Sequence, residues 1–464
     1  MELLDDRRRP RRGRRLLFLV VAGALAWGAL ATFRTGPPPA VTIEPGLPGI
    51  GRATPVEVTF EEPVRGLAGV RVELIQGERI VGLAEREHRP RRPWQFWGPR
   101  TPAERIELVV GSETVDGLRQ GEAVLRATAE RPGTWIRHPD PVVAEATLPV
   151  RLTPPSISVL STRHYPAQGG SGVVVYRVGE GAIADGVVAG GRFFRGWPLP
   201  GGGERDRFCL YGVPFDLTDG SQIRLTATDE VENRASVAFV DRFLPHDFER
   251  DDIVISTGFM EQVVPEILAN TPELQAEDDL LATYLRINGE LRRANAETIA
   301  ALTEGSRPAF LWNRPFLPMP NAQVMSAFAD RRTYLLEGRT VDRQDHLGID
   351  LASVRRAPVP AANDGVVALA RYLGIYGNAV VVDHGFGLMS LYGHLSSIAV
   401  EEGQPVRRGQ EVGRTGETGL AAGDHLHFTM LIQGMPVSPI EWWDPRWIRD
   451  RVAGKLGEAL DYSM

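Results

Sequence analysis

The stretch His425-Leu426-His427-Phe428-Thr429-Met430-Leu431-Ile432 decides the fold of the C-terminal part of this chain. It predicts a strand from His427 to Ile432 that turns at Gln433-Gly434. Side chains two residues apart on a strand point to the same face, so the imidazoles of His425 and His427 face one cavity. Because unpaired polar groups are costly to bury beside an apolar strand, the pair indicates a site built into a sheet.

A second motif, His346-Leu347-Gly348-Ile349-Asp350, precedes this pair by about 75 residues. Its histidine and aspartate are four residues apart, which places them on one side of an extended segment or a helix. The motif is weak when taken singly, but it occurs together with the histidine pair and with Gly393-His394-Leu395-Ser396. Zinc prefers imidazole and carboxylate ligands, and a catalytic zinc site adds an open position and a nearby base. The two motifs together therefore predict such a site.

The remaining histidines are predicted to have structural roles. Five of the nine lie between positions 346 and 427. Of these, His384 follows Asp383 at the start of a turn, and we expect a strand-end residue there, not a ligand. The histidines upstream have no ligand-like neighbours and are predicted to be surface or structural residues: His88, His138, His164 and His246.

The segment from His346 to Ile440 resembles the LytM/lysostaphin-type family of zinc metallopeptidases, which are peptidoglycan endopeptidases. The matching stretches are the two motifs above and Pro360-Ala361-Ala362-Asn363-Asp364-Gly365, Gly374-Ile375-Tyr376-Gly377-Asn378, Val382-Asp383-His384-Gly385, Tyr392-Gly393-His394-Leu395-Ser396, Gly403-Gln404-Pro405-Val406, Gly409-Gln410 and Gly413-Arg414-Thr415-Gly416.

The resemblance implies an antiparallel β-sheet peptidase domain that holds Zn²⁺ through His346, Asp350 and His427. It implies catalytic roles for His394 and His425, and leaves open which is the main base. The implied reaction is endopeptidase cleavage of peptide cross-links in peptidoglycan, with metal-activated water attacking the scissile carbonyl. The alternative is a non-catalytic envelope regulator that uses the fold to activate a cell-wall amidase. Regulators usually lack some of these five residues, and all five are present here.

One departure from the family pattern lies beside the histidine pair. The family often has Gly-Pro before the first histidine, whereas this chain has Gly423-Asp424. The position touches no ligand in the family. An aspartate there either hydrogen-bonds an imidazole or is a solvated loop acid.

Upstream of the peptidase domain, predicted for 315–450, the pattern predicts a mostly β chain. Short alternating strands separated by turn residues favour two β-sandwich modules, at 41–152 and 153–245, and a weak resemblance to bacterial immunoglobulin-like modules supports them. From 246 to 314 the apolar residues recur at helical spacing, which predicts a short helical connector punctuated by Asn288-Gly289. No sequence feature assigns a role to the β-modules.

The N-terminus carries an apolar run that predicts a membrane anchor. Residues 16–33 contain no charge and span about 27 Å as a helix, close to the thickness of a bilayer core. The basic tail at 1–15 carries seven Arg, so the positive-inside rule places it in the cytoplasm and the body on the periplasmic or extracytoplasmic side. A cleaved signal peptide is the alternative, since Ala29-Leu30-Ala31 fits a cleavage site.

Composition excludes some partners and constrains others. The net charge is −7 and the basic residues near the N-terminus leave an acidic body, so nucleic acid is not expected as a partner. The single cysteine, Cys209, cannot form an internal disulfide. The expected partners are peptidoglycan peptides and the inner membrane, and an envelope protein partner is left open.

Overall fold

The computed structural model describes residues 11–463 and is mostly β, which confirms the predicted fold class. The chain divides into two compact units, Met1–Pro154 with Thr228–Arg234, and Pro155–Ala227 with Ala235–Met464. Residues 1–10 of the predicted basic tail lie outside the described residues. Its last five residues are helical, so the described part of the tail continues the apolar helix.

Over its described residues, the first unit contains one long helix and two antiparallel sheets. Helix α1 (Arg11–Phe33) is long and apolar enough between Gly13 and Phe33 to cross a membrane. One sheet has the order β1-β2-β5 and the other β4-β3-β6-β7. The strands are β1 (Ala40–Pro45), β2 (Thr54–Glu61), β3 (Gly69–Gln76), β4 (Arg79–Glu87), β5 (Ala103–Val110), β6 (Gly121–Glu130) and β7 (Val142–Val150). Alternate residues of β2 and β6 are buried in one shared core, as the period of two requires.

The second unit begins with two four-stranded sheets. Their orders are β11-β10-β14-β15 and β12-β13-β9-β8. The strands are β8 (Ile157–Val159), β9 (Ser171–Val178), β10 (Ala182–Ala189), β11 (Arg192–Arg195), β12 (Trp197–Pro198), β13 (Asp206–Gly212), β14 (Ile223–Asp229) and β15 (Arg234–Ala238). Cys209 is fully buried in this region.

The segment expected to be a helical connector contains a strand and three helices, the last two of which are continuous. Strand β16 (Arg250–Val254) comes first, followed by α2 (Thr257–Asn270), α3 (Leu280–Arg286) and α4 (Arg292–Ala301). The expected interruption at Asn288-Gly289 is wrong, because Ile287–Leu291 forms a π-helical turn that joins α3 to α4. Asn288 is fully buried there: its amide donates to Asp342, and its side-chain oxygen accepts from Arg292.

An antiparallel sheet of order β17-β20-β28-β24-β23-β22-β26, with β29 beside β28, carries the predicted motifs. The strands of this region are β17 (Gln323–Ser326), β18 (Asp330–Leu336), β19 (Arg339–His346), β20 (Ile349–Ala352), β21 (Pro358–Pro360), β22 (Gly365–Tyr372), β23 (Asn378–Asp383), β24 (Leu388–Leu395), β25 (Ser397–Ile398), β26 (Pro405–Val406), β27 (Glu411–Arg414), β28 (Leu426–Ile432) and β29 (Met435–Val437). Every residue of β24 and β28 is buried, so these two central strands are covered on both faces.

Short helices follow the last strand, at α5 (Pro439–Trp443), α6 (Pro445–Trp447) and α7 (Gly454–Leu456), with a π-helical turn at Ile448–Ala453. Leu456 and Leu460 are buried in the same core as Trp442. The packed region therefore continues past residue 450, where we expected the peptidase domain to end. No motif marks this continuation in the sequence.

Candidate metal centre

Strand register brings the three predicted ligands together. In the pairing of β20 with β28, Asp350 lies directly opposite His427. His346 is the last residue of β19, and the turn Leu347-Gly348 leads from it into β20. One ligand atom from each residue, His346 Nε2, Asp350 Oδ1 and His427 Nδ1, lies 3.0 Å from each of the other two. Among the described residues this is a cluster of metal-binding type, and all three members are buried.

Hydrogen bonds on the far side of each ring fix the tautomers of the two histidines. His346 Nδ1 lies 3.0 Å from the carbonyl oxygen of Ala327, which can only accept, so Nδ1 carries the proton. Thr429 donates its hydroxyl proton to the Leu347 carbonyl, so its oxygen accepts from His427 Nε2 at 3.1 Å. Both protons therefore point away from the cluster, and His346 Nε2 and His427 Nδ1 present lone pairs to it.

This donor set fits a zinc ion. Two nitrogen lone pairs and a carboxylate oxygen converge at 3.0 Å with no proton left to separate the two nitrogens. Without a cation, such an arrangement of buried acceptors is costly. Tetrahedral zinc with bonds of about 2.0–2.1 Å places its ligand atoms roughly 3.3 Å apart, close to the observed spacing.

The two histidines predicted to be catalytic lie beside this cluster. The ring centroid of His394 is 4.8 Å from that of His425 and 5.7 Å from that of His427. His394 Nδ1 donates to the Thr418 carbonyl at 2.8 Å, and His425 Nδ1 donates to the Gly423 carbonyl at 2.7 Å. In both rings Nε2 is thus the unprotonated nitrogen of the neutral form. His425 Nε2 lies 3.5 Å from Asp350 Oδ1.

The backbone is strained where it presents one of these rings. His394 has φ of 61°, in the left-handed region that few residues other than glycine adopt. Such a conformation costs on the order of 1–3 kcal/mol and persists where surrounding contacts enforce it. Here the neighbouring Gly393 is paired with His427 across β24 and β28. The strain is located at the site itself.

Burial and mutual proximity shift the pKa of Asp350, His394, His425 and His427. Burial alone would raise the pKa of Asp350, but the imidazoles of His346, His425 and His427, when protonated, stabilise its carboxylate and hold that pKa well below its usual range. Burial lowers the pKa of His427 to about 4. Burial and the adjacent His425 and His427 also lower the pKa of His394 well below its usual value. Burial alone would lower the pKa of His425, but the hydrogen bond that its protonated ring donates to Asp350, the negative charge of Asp350 and the hydrogen bond to the Gly423 carbonyl together raise it.

Two further side chains support the ligands and are missing from the sequence predictions. Arg332 on β18 donates to Asp350 Oδ2 at 3.1 Å and to Ser326, which fixes the carboxylate on the side away from the cluster. No local motif points to this arginine, because it lies on a different strand pair. Thr429 lies two residues after His427 on the same strand face, so the alternation that linked His425 to His427 would also have identified it.

The departure at Asp424 does not involve an imidazole. Its carboxylate accepts from the Thr415 hydroxyl at 2.6 Å and from the backbone N–H of Arg356. Of the two expectations, hydrogen bonding to an imidazole is therefore wrong. The residue is half-buried and ties together the loops beside the site.

The histidines predicted to be structural have partners of their own. His384 is fully buried, donates from Nδ1 to the Asp364 carbonyl at 2.7 Å, and has Nε2 2.8 Å from Ser390 Oγ. His164 is buried beside Ser161, and His88 contacts Glu104. His246 packs on Phe248. His138 is exposed.

A cavity of about 940 Å³ contains the cluster and both neighbouring imidazoles. Side chains from the helical segment line one part of it, including Phe259, Tyr284 and Arg292. Its volume is at the upper end of those typical for small-ligand clefts. The cavity therefore has room for a peptide segment next to the cluster.

Residues 344–439 match the model of peptidase family M23. The C-terminal part of the chain is an M23 (LytM-type) domain, which confirms the resemblance predicted from the motifs. Peptidoglycan DD-endopeptidase ShyA of Vibrio cholerae is 31% identical over 198 residues, which cover 42% of this chain and 42% of ShyA. DD-carboxypeptidase/endopeptidase Mpg of Neisseria meningitidis serogroup B is 44% identical over 95 residues, 20% of this chain and 22% of Mpg.

The chain thus matches less than half the length of these relatives. A crystal structure of a candidate M23 peptidase from Pseudomonas aeruginosa aligns at 23% identity with a TM-score of 0.36, over 60% of this chain and 95% of that one.

Proposed function

We propose that this M23-domain protein is a zinc-dependent endopeptidase that hydrolyses peptide cross-links of peptidoglycan. The observation that carries the proposal is the convergence of three unprotonated ligand atoms, from His346, Asp350 and His427, beside two further imidazoles in one cavity. The names of the relatives matched by the same domain support the substrate class. Intact ligand and catalytic positions favour a peptidase over a regulator of an amidase.

In this proposal the residues have separate tasks. His346, Asp350 and His427 would hold Zn²⁺, which when bound supplies a Lewis acid and lowers the pKa of a coordinated water toward about 7. Arg332 and Thr429 orient Asp350 and His427 through the hydrogen bonds described above. His394 and His425 both present Nε2 to the cavity and can accept the proton of the attacking water or donate it to the leaving amine.

We further propose that α1 anchors the protein in the cell membrane as a single-pass helix, with the body on the extracytoplasmic side. The helix is long and apolar enough to span, and the seven arginines that precede its apolar run favour a cytoplasmic N-terminus. This topology places the M23 domain in the compartment that contains peptidoglycan.

The decisive experiment is digestion of purified sacculi by the full-length protein. We expect zinc-loaded protein to release muropeptides from cross-linked material, and we expect loss of release after chelation and recovery on adding zinc. His427→Ala should be inactive with or without zinc. A metal-free preparation with full activity would refute the zinc mechanism, and a zinc-loaded preparation that releases nothing would refute the peptidase.

A cellular test distinguishes the non-catalytic regulator from the proposed peptidase. If His346→Ala complements a deletion strain as well as the wild type does, the fold acts without its metal site and the regulator function is correct. We expect that variant to fail to complement, while an otherwise identical strain carrying His246→Ala, at an exposed histidine outside the cavity, behaves as wild type.

A further inference from the structure

Aromatic side chains are exposed around the C-terminal end of α1. They come from two loops, 88–100 and 131–140, which we call the collar together with Phe33 and Arg34. Among the large apolar residues of the collar, Trp97 is 75% exposed, Trp135 65%, Ile136 64% and Phe96 54%. An exposed cluster of this kind on a soluble surface indicates a binding surface.

The collar is in contact with the helix itself. The ring centroid of Trp27 lies 5.6 Å from that of Trp94 and 6.2 Å from that of Trp135, and the latter two are 5.9 Å apart. Near the helix end the guanidinium of Arg34 lies 4.1 Å from the ring centroid of Phe96, and that of Arg137 lies 5.1 Å from that of Phe33. Both loops therefore pack on the last turns of α1.

One buried arginine fixes the loops in this arrangement. Arg65, 2% exposed, donates to the carbonyls of Arg34, Arg91, Pro132 and Gly133. These carbonyls belong to the helix exit and to both loops. Glu62, which is fully buried, accepts from the backbone N–H groups of Arg65 and Gly66. The exposed aromatic side chains are thus held by a rigid base.

The collar is also basic. The loops and the helix exit contain seven arginines and a single acid, Asp140; the arginines are Arg34, Arg89, Arg91, Arg92, Arg100, Arg131 and Arg137. Arg89, Arg92 and Arg137 are exposed. Arginine beside tryptophan is the composition that binds the headgroup layer of an anionic membrane.

The depth of contact along α1 places the collar at the bilayer surface. Trp27 precedes the helix end at Phe33 by six residues, about 9 Å along the axis. The apolar run is barely long enough to span a bilayer core of about 30 Å, so the level of Trp27 cannot lie far out in water. Loops that contact Trp27 must then reach the headgroup and upper acyl region.

We propose that the collar is a membrane-docking surface that inserts Trp97, Trp135 and Ile136 into the leaflet where α1 exits, with its arginines on anionic lipid headgroups. This inference rests on the membrane anchorage proposed above. It adds that the first unit is held against the bilayer by its own loops as well as by α1. A protein partner on the same surface is the competing occupant, and the experiment below distinguishes the two.

The test uses the full-length protein in vesicles and the fact that its one native cysteine, Cys209, is fully buried. Trp97→Cys and Ile136→Cys are each labelled with a nitroxide. Ile80→Cys is the matched control, since Ile80 is 57% exposed and lies in the same unit. It is near the end of β4 remote from the collar, about 27 Å along the strand from the start of loop 88–100. Electron paramagnetic resonance then compares label accessibility to oxygen, which concentrates in lipid, and to an aqueous nickel chelate.

In vesicles of equal parts phosphatidylcholine and phosphatidylglycerol, we expect a severalfold higher oxygen-to-nickel ratio at positions 97 and 136 than at position 80. With phosphatidylcholine alone the ratio at 97 and 136 should fall, and Arg92→Glu with Arg137→Glu should abolish this lipid dependence while Arg79→Glu leaves it intact. Labels at 97 and 136 that are as aqueous as the control in both vesicles would overturn the proposal and leave the surface to a protein partner.

Flotation of the same samples tests the membrane anchor separately from the docking surface. Protein that floats with vesicles but has aqueous labels retains the anchor and lacks the docking surface. Protein that does not float lacks both. Muropeptide release by the labelled variants tests the peptidase independently, because the collar lies in the first unit and the metal cluster in the second.

Discussion

Gly348 faces the ring of His427 so closely that no side chain fits between them. A Cβ atom built at position 348 would lie 2.5 Å from His427 Nε2 and 2.6 Å from Thr429 Oγ1. Both atoms belong to the hydrogen bond that sets the tautomer of His427. The glycine of the first motif is therefore required for the close approach of β20 to β28, and not for a turn conformation.

From this contact we expect Gly348→Ala to displace the His427 ring and weaken zinc binding about 10–100-fold, the usual cost of disturbing a group that orients a metal ligand. Zinc titration into metal-free protein measures it. Gly423→Ala is the matched control, because a Cβ there meets nothing within 4 Å. Equal zinc affinity of the two variants would contradict the packing argument.

The hydroxyl of Thr429 gives a second prediction. Thr429→Val keeps the shape but removes the acceptor for His427 Nε2–H, so the ring can adopt the tautomer that points its proton at the cluster. We expect zinc affinity to fall about 10–100-fold, and Thr429→Ser to restore most of it. If valine and serine behave alike, the hydroxyl does not set the tautomer.

The proposed division between ligands and catalytic histidines predicts two classes of variant. His346→Gln and His427→Gln should lose bound zinc and activity together. His394→Gln and His425→Gln should retain zinc and lose about 10²–10⁴-fold in muropeptide release, the range typical for removing a general acid or base. The zinc content and the muropeptide release of each purified variant, measured together, distinguish the two classes. Loss of zinc from both His394 and His425 variants would show that they act as ligands.

Burial of His384 predicts a pH dependence of stability. Its burial lowers its pKa from 6.5 to about 4. Between these values the unfolded chain binds a proton that the native chain does not, so the free energy of unfolding falls as the pH drops from about 6.5 to about 4. The total is about 3 kcal/mol for this group. His384→Gln should be less stable at neutral pH and lose less stability on acidification.

Hydrogen–deuterium exchange of peptides from β23 and β24 measures this effect, after correction for intrinsic exchange rates. Other titrating histidines, His164 among them, contribute equally to both proteins and cancel in the difference. The difference in protection between wild type and variant should narrow toward pH 4.5. Curves that remain parallel over that range would show that His384 does not titrate as described.

The sequence predicted the mostly β fold and the M23 domain, because these depend on local alternation and on contiguous motifs. Strands such as β2 and β6 have an apolar residue at every second position, and both lie in the segment 41–152 where alternating strands were expected. Strand β16 and the continuous helix through Asn288-Gly289 were missed. Their conformations depend on partners distant in sequence, namely β18 and Asp342.

In the candidate site, too, the features that depend on nearby residues were predicted and those that depend on distant residues were missed. His425 and His427 were linked by strand period, and the register that pairs Asp350 with His427 accounts for the spacing of the first motif. Arg332 could not be found, because its position beside Asp350 results from how β18 and β20 come together in the fold. The assignment of ligands and catalytic residues stays a prediction for the variants above.

The four imidazoles of the centre are oriented ultimately by peptide carbonyls, those of Ala327, Thr418 and Gly423 directly and that of Leu347 through Thr429. A side-chain replacement cannot delete a peptide carbonyl. For His346, His394 and His425 the protonation pattern is consequently encoded in the course of the main chain and tolerates drift in residue identity at Ala327, Thr418 and Gly423. It is vulnerable instead to insertions, deletions and prolines, which reroute the backbone without altering any histidine.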